Sequence, residues 1–206
     1  MKFAIYQYFA KSDTKLCDIN SSDYYNLSHK SVSKYSFNYN IDYQLITKGH
    51  KITPFYGIFT PFSESLFDNY DAICFIDSDI LITIHAENLF NYYNKHKITC
   101  HIMPNLGHAN TGVVIFPKIF FSEIKSKIID NLSDLHTNTF HKYGPYDQFI
   151  LNKFYLPDKI HNLPEHMNYI LHHRPFESRF EKNIIHYNSY WKDKMHEDFN
   201  NPLILK

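Results

Sequence analysis

The sequence predicts an α/β domain, a mostly parallel central sheet flanked by helices, and three observations point there. Short apolar runs of strand length alternate with segments of helical spacing along the chain, the order expected when helices carry the crossovers of a parallel sheet. One run, residues 72–76 (Ala-Ile-Cys-Phe-Ile), is apolar without interruption, as a strand covered on both faces requires. The 206 residues, 44% hydrophobic and 20% charged, suffice for a core that needs no disulfide staples. No repeat, low-complexity linker or clear boundary divides them, so residues 1–206 are read as a single domain.

The elements follow in order. Residues 2–10 alternate as a first strand does, and a polar loop runs on to residue 20. Residues 22–37 carry aromatics and Leu27 at helical spacing, with Ser21 or Ser22 placed as the cap. Residues 42–47 are a second short strand, and 63–69 are expected to be helical. After the strand at 72–76, residues 85–94 read as a helix and 97–103 as a strand. Residues 111–116 (Thr-Gly-Val-Val-Ile-Phe) are another strand, which Pro117 ends. A helix is expected over 119–132, a short one over 146–154 started by Pro145, and a last apolar strand over 184–187.

Composition removes several functions. Lys+Arg and Asp+Glu are each 21, for a formal net charge of zero, whereas a general nucleic-acid binder carries a basic excess. No run approaches the roughly 18–20 apolar residues of a membrane span. The N-terminal segment lacks the apolar stretch and small-residue cleavage site of a signal peptide. Cys17, Cys74 and Cys100 are isolated and odd in number, which reads as free thiols in a reducing compartment. A cytoplasmic setting is the expectation, a host cell's cytoplasm if the gene is viral; the abundance of Tyr, Phe and Lys suits AT-rich coding.

The sharpest local feature is the acidic pair that follows the apolar run, Asp77-Ser78-Asp79, with Ile80-Leu81-Ile82 beyond it. If strand conformation persists, side chains at i and i+2 share a face and the two carboxylates stand together. Such a pair repels unless a cation neutralises it, and oxygen ligands suit Mg²⁺ or Mn²⁺. The plain alternative is a polar turn in which an aspartate caps itself. An EF-hand is excluded, since no Gly and no downstream Glu stand at the required offsets.

Five segments, in order, resemble the glycogenin-like retaining glycosyltransferases, which have a GT-A (Rossmann-like) fold and use nucleotide sugars. The strand and D-x-D of that family resemble residues 69–81. Its N-[ST]-G strand resembles Asn110-Thr111-Gly112, and its D-Q-x-x-[LF]-N helix resembles Asp147-Gln148-Phe149-Ile150-Leu151-Asn152. An L-P-x-x-[WYM]-N segment is matched by Leu163-Pro164-Glu165-His166-Met167-Asn168, and the histidine tail by His186-Tyr187-Asn188-Ser189-Tyr190-Trp191-Lys192.

The resemblance implies a hexosyltransferase that moves a sugar, with retention, from a UDP-sugar to a glycan, glycoprotein or small hydroxyl acceptor. It implies Asp77, Asp79 and His186 as ligands of Mn²⁺ or Mg²⁺, and Lys192 at the departing phosphates. Asp147 and Gln148 would lie at the reacting sugar, and Asn110 and Thr111 at donor or acceptor hydroxyls. Ser78 and Ser189 join the nucleotide-binding set, and Tyr6 would stack on the base. Acceptor choice would lie in loops 105–109 and 166–179. The chain departs from the family where Ser189 replaces a glycine, Asp193-Lys194 replaces Pro-Trp, and Pro61 stands in place of a basic residue. Arg174, Arg179 or Lys182 would then supply the missing charge. Two other readings stay open: a haloacid-dehalogenase-like Mg²⁺ phosphatase, whose first strand also ends in D-x-D, and a sugar-nucleotide binding protein without turnover. The oligomeric state is open.

Overall fold

In the computed structural model, residues 1–9, 21–47, 58–59, 61–62, 65–131 and 147–206 are described. Strand β1 (Phe3–Tyr8) lies between β2 (Asp42–Ile46) and β3 (Ala72–Ile76), parallel to both. Helix α1 (Ser21–Asn38) makes the crossover from β1 to β2. Beyond β3 the sheet continues with β6 (His108–Pro117), β5 (Ile98–Met103) and β7 (Ile160–Asn162), giving the order β2-β1-β3-β6-β5-β7. Among the described strands only β6 runs against the rest: it is antiparallel to β3 and to β5, while β7 is parallel to β5. The sheet is therefore mostly parallel, as expected.

The uninterrupted apolar run has the predicted cause. In β3, Ile73 and Phe75 join one core, and Ala72, Cys74 and Ile76 join the core on the opposite face. Strand β6 divides in the same way, Val114 and Phe116 against Val113 and Ile115. Helix α2 (Phe121–Asp130) covers the first face with Ile124 and Ile128, and α3 (Asp147–Phe154) with Phe149, Ile150 and Leu151. Helix α1 covers the second face with Val32 and Tyr35. Cys74 and Cys100 are buried free thiols, and burial pushes both upward, Cys100 to about 12. Cys17 lies outside the described residues.

A second, three-stranded sheet is built from β4 (Ile80–Ile82), β9 (Ile184–His186) and β8 (Tyr169–Ile170), in the order β4-β9-β8. It packs its own cluster, Leu81, Tyr169, Ile185, Tyr187 and Met195, the last from helix α4 (Met195–Phe199). An ion-pair network fixes α4 against β9. Arg179 donates twice to Asp198, at 2.6 and 2.8 Å, and the Tyr187 hydroxyl donates to the same carboxylate at 2.7 Å. Asp198 is 3% exposed, so its charge is tolerable only because three donors surround it.

Two expectations differ. Residues 85–94 hold a single 3₁₀ turn, Leu89–Tyr92, in place of a helix. The Tyr35 hydroxyl donates to the Glu87 carbonyl and accepts the Leu89 N–H, so tertiary bonds satisfy groups that a helix would pair internally. The helix expected over 63–69 does not form in its described part, residues 65–69: Ser65 has φ of 54°, which right-handed helical backbone excludes. The strands β4, β7 and β8, of two or three residues, and helix α4 have no periodicity long enough to predict.

Asp198→Ala leaves Arg179 facing an empty buried socket. We expect a loss of about 3–5 kcal/mol, read from the midpoint of urea unfolding.

Candidate metal and nucleotide site

At the carboxyl end of β3 the chain leaves the large sheet and enters the small one within three residues. Asp77 is the last residue tied to the large sheet: its N–H donates to Gly112 O at 2.8 Å, and its carbonyl accepts from Gln7 Nε2 at 3.0 Å. Ser78 and Asp79 then turn, and Ile80 pairs with His186 across β4 and β9. Strand conformation therefore does not persist through the acidic pair, and Asp77 Oδ1 accepts the Ser78 N–H at 2.7 Å, as a self-capping turn does. The carboxylates converge nevertheless, because each is anchored to a different sheet. Asp79 O accepts the Tyr187 N–H at 2.8 Å, which locks the second acid to the end of β9.

That junction delivers His186 to the pair. Its Nε2 lies 3.2 Å from Asp79 Oδ1 and 4.0 Å from Asp77 Oδ2, and the ligand atoms of all three residues lie within 4.8 Å of one another. Two contacts orient the imidazole. Gly112 leaves room for it, since a Cβ there would stand 2.3 Å from His186 Nδ1. Asn168, fully buried, fixes the tautomer. Asn110 Oδ1 already accepts the Gly112 N–H at 2.9 Å, so Asn168 must turn its Nδ2 to it, at 2.8 Å. The Asn168 Oδ1 then faces His186 Nδ1 at 3.2 Å and receives its proton, which leaves Nε2 aimed at the acids.

The electrostatics split the pair. Burial and the neighbouring charge of Asp79 raise Asp77 to about 6, although its side chain remains 40% exposed. Burial alone would raise Asp79 too, but the charges of His186 and Lys192 overcome it and hold that carboxyl well below the usual range. Lys192 Nζ sits 2.9 Å from Asp79 Oδ2. For His186, burial works against the cation and the Asp79 carboxylate outweighs it, so the ring is raised. Asp79 Oδ1 is buried without a hydrogen-bond partner, His186 being near it but out of alignment. An orphaned carboxylate oxygen beside a second carboxylate and an inward-facing imidazole nitrogen fits a divalent cation.

The structure thus brings Asp77, Ser78, Asp79, Asn110, Thr111, His186 and Lys192 to one region. Thr111 is buried in β6 between Asn110 and Gly112. Gln148 lies in the first turn of α3; of Asp147, only the backbone that opens this helix is described, and of Ser189 only the backbone of the 3₁₀ turn Ser189–Lys194. Asn152 ties α3 to the strand carrying Asn110, accepting the Ala109 N–H at 2.7 Å and donating to its carbonyl at 3.3 Å. Tyr6 is a correction. It is fully buried between Phe67 and Phe75 and donates to Ile58 O at 2.7 Å, so no ring face remains for a base. The arginines are also committed elsewhere: Arg179 to Asp198, and Arg174 to Glu165 at 2.8 Å. Asn168 and Asn152 carry structural bonds at the site that their motifs contained but whose roles the sequence did not reveal. A small cavity of ≈ 20 Å³ lies between Asn105, Leu106, His173 and Arg174, within the two loops expected to choose the acceptor and with room for about one water.

No protein-family model and no curated protein sequence matches this chain. Among solved structures, a glycosyltransferase involved in the glycosylation of the major capsid of PBCV-1 superposes with a TM-score of 0.71 at 13% identity, covering 97% of this chain and 98% of that one. The glycosyltransferase GlyE of Streptococcus pneumoniae TIGR4 gives 0.63 at 16% identity, with 98% of this chain and 62% of the other covered. Mouse xyloside xylosyltransferase 1 gives 0.54 at 13%, covering 91% and 98%. This chain spans about half of the bifunctional WbbM chain that it also resembles. These likenesses define the fold: it is the GT-A fold of glycosyltransferases.

Two outcomes test this geometry. Gly112→Ala forces the His186 ring off its seat, with an expected loss of about 1–3 kcal/mol in urea unfolding and a displaced His186 resonance by NMR. The second concerns pH. With its folded pKa raised, Asp77 favours the folded state below its unfolded pKa, and that contribution disappears as pH rises through about 6. Cation binding needs the carboxylate and runs the other way. Mn²⁺ affinity, read by electron paramagnetic resonance, should rise with pH through about 6 as Asp77 ionises, and go on rising until His186, whose ring is raised, has also given up its proton.

Proposed function

We propose that this chain is a metal-dependent glycosyltransferase that moves a sugar from a nucleotide-sugar donor, a UDP-sugar, to a hydroxyl acceptor with retention of configuration. One observation carries the reading. The orphaned Asp79 oxygen, Asp77 and the His186 imidazole converge, with Lys192 beside them, where β3 ends in a GT-A fold. Ligands of open α/β sheets bind beyond the carboxyl ends of strands, and this is such an end.

Asp77, Asp79 and His186 would hold Mn²⁺ or Mg²⁺. When bound, the cation supplies Lewis acidity at the leaving diphosphate. The remaining work falls to side chains. In the reaction, the bond from the anomeric carbon to the phosphate oxygen breaks, the acceptor oxygen takes its place, and the acceptor proton passes to the departing phosphate. Negative charge grows on the diphosphate as the sugar becomes oxocarbenium-like. Lys192, with its side chain 41% exposed, can turn from Asp79 toward an anion entering from solvent and oppose that charge. Asp147 orients the acceptor hydroxyl or stabilises the positive sugar, and Gln148 bonds sugar hydroxyls. Asn110 and Thr111 line the sugar's side of the site, while Ser78 and Ser189 offer hydroxyls to the nucleotide. A glycan, a glycoprotein or a small hydroxyl compound is the acceptor. Among the described residues no helix is long and apolar enough to cross a membrane.

The test is UDP release from a panel of UDP-sugars with Mn²⁺. Asp79→Ala should reduce release by at least about 10²-fold, and Lys192→Ala should reduce turnover while Mn²⁺ affinity holds or rises, since the ammonium no longer competes for Asp79. Release of phosphate from simple esters, with UDP-sugars untouched, would favour the phosphatase instead. UDP and Mn²⁺ that stabilise the protein without turnover would mark a binding protein.

A further inference from the structure

Gln7 is out of place by the logic of its own strand. Strand β1 is buried along nearly its whole length, and Gln7 is 1% exposed on the face that α1 covers. A buried amide is costly unless its donors and acceptors are matched. Here they are: Nε2 donates to Ser28 Oγ at 2.9 Å and to the Asp77 carbonyl at 3.0 Å, and Oε1 accepts from the Tyr43 hydroxyl at 2.8 Å. Ser28 Oγ itself reaches the Asp77 carbonyl only at 3.5 Å. The assignment of the amide follows from the same contacts. Its nitrogen must face the carbonyl, and its oxygen must therefore receive the Tyr43 proton. The Tyr43 oxygen in turn lies 2.8 Å from His29 Nδ1, whose N–H donates to it.

The Asp77 backbone is thus held on both sides of its Cα. Its N–H is held by Gly112 O in β6 and its carbonyl by Gln7 from β1. This is the point where the chain turns out of the large sheet, and the direction of the Asp77 side chain depends on it. We propose that Gln7 is a positioning residue for the cation site: it fixes the Asp77 peptide, with Tyr43 holding the Gln7 amide in orientation, and so sets the carboxylate for metal binding. This inference rests on the metal site proposed above. Residues behind the ligands of a metal site commonly contribute 10–100-fold in affinity.

The experiment is Mn²⁺ titration of the full chain by electron paramagnetic resonance, with urea unfolding run on each variant. Gln7→Met keeps the length of the side chain and removes the amide; Mn²⁺ affinity should fall about tenfold or more while the unfolding transition stays cooperative. Tyr43→Phe removes the donor that orients Gln7, together with the acceptor of the His29 N–H, and should show a smaller fall in the same direction. A folded Gln7→Met with parental Mn²⁺ affinity overturns the proposal. Should that variant not fold, Tyr43→Phe decides, and unchanged affinity there overturns it. A parent chain that binds Mn²⁺ no better than Asp79→Asn sinks the metal site itself, and this inference with it. A parent that binds well alongside an equally good Gln7→Met sinks the inference alone.

Discussion

The structure turns on the repulsion between two carboxylates that the backbone forces together. Asp77 is tied to the large sheet through Gly112, and Asp79 to the small sheet through Tyr187, so neither acid can swing away without breaking a backbone bond. What offsets the repulsion comes from remote parts of the chain, His186 from β9 and Lys192 from the turn beyond it. The ion-pair network around Asp198, which seats α4 against Tyr187, braces the segment that supplies the neutralising groups.

The reversed strand β6 does a second job. A parallel neighbour would bring β3 the end of a strand and a loop. Running the other way, β6 carries Asn110 to Gly112 on past the end of β3, where its pairing with β5 shifts register, with Ile76 opposite Val113. Asn110 can then join the strand backbone to Asn168 and thence to the imidazole, a chain of fully buried or nearly buried amides that settles which histidine nitrogen faces the site.

Much of this was legible in the sequence, for physical reasons that also mark where legibility stops. The strand at 72–76 declared itself because burial on both faces leaves no polar position. The acids declared themselves because charge directly after such a run demands an explanation. His186 was reachable only through a resemblance, since nothing local distinguishes it from the other thirteen of the chain's 14 histidines. Tyr6 was misplaced because an aromatic in a strand reads the same whether it meets a ligand or Phe75. Asn168 and Gln7 act through partners tens of residues away, and no local pattern encodes such a bond. The helix expected over 85–94 failed for the same reason, its backbone groups being taken by Tyr35.

The separation of the site residues along the chain has a mechanical consequence. Asp79 and His186 stand more than a hundred positions apart, and the segment between them contains β5, β6, α2 and α3. An ion gripped at both ends of that span would act as a removable cross-link, closing a loop about as long as half the chain. Such closure penalises the unfolded ensemble more than the folded one. Occupancy of the site and resistance to unfolding would then rise and fall together, making the cation a fastener of the architecture as well as a participant in its chemistry.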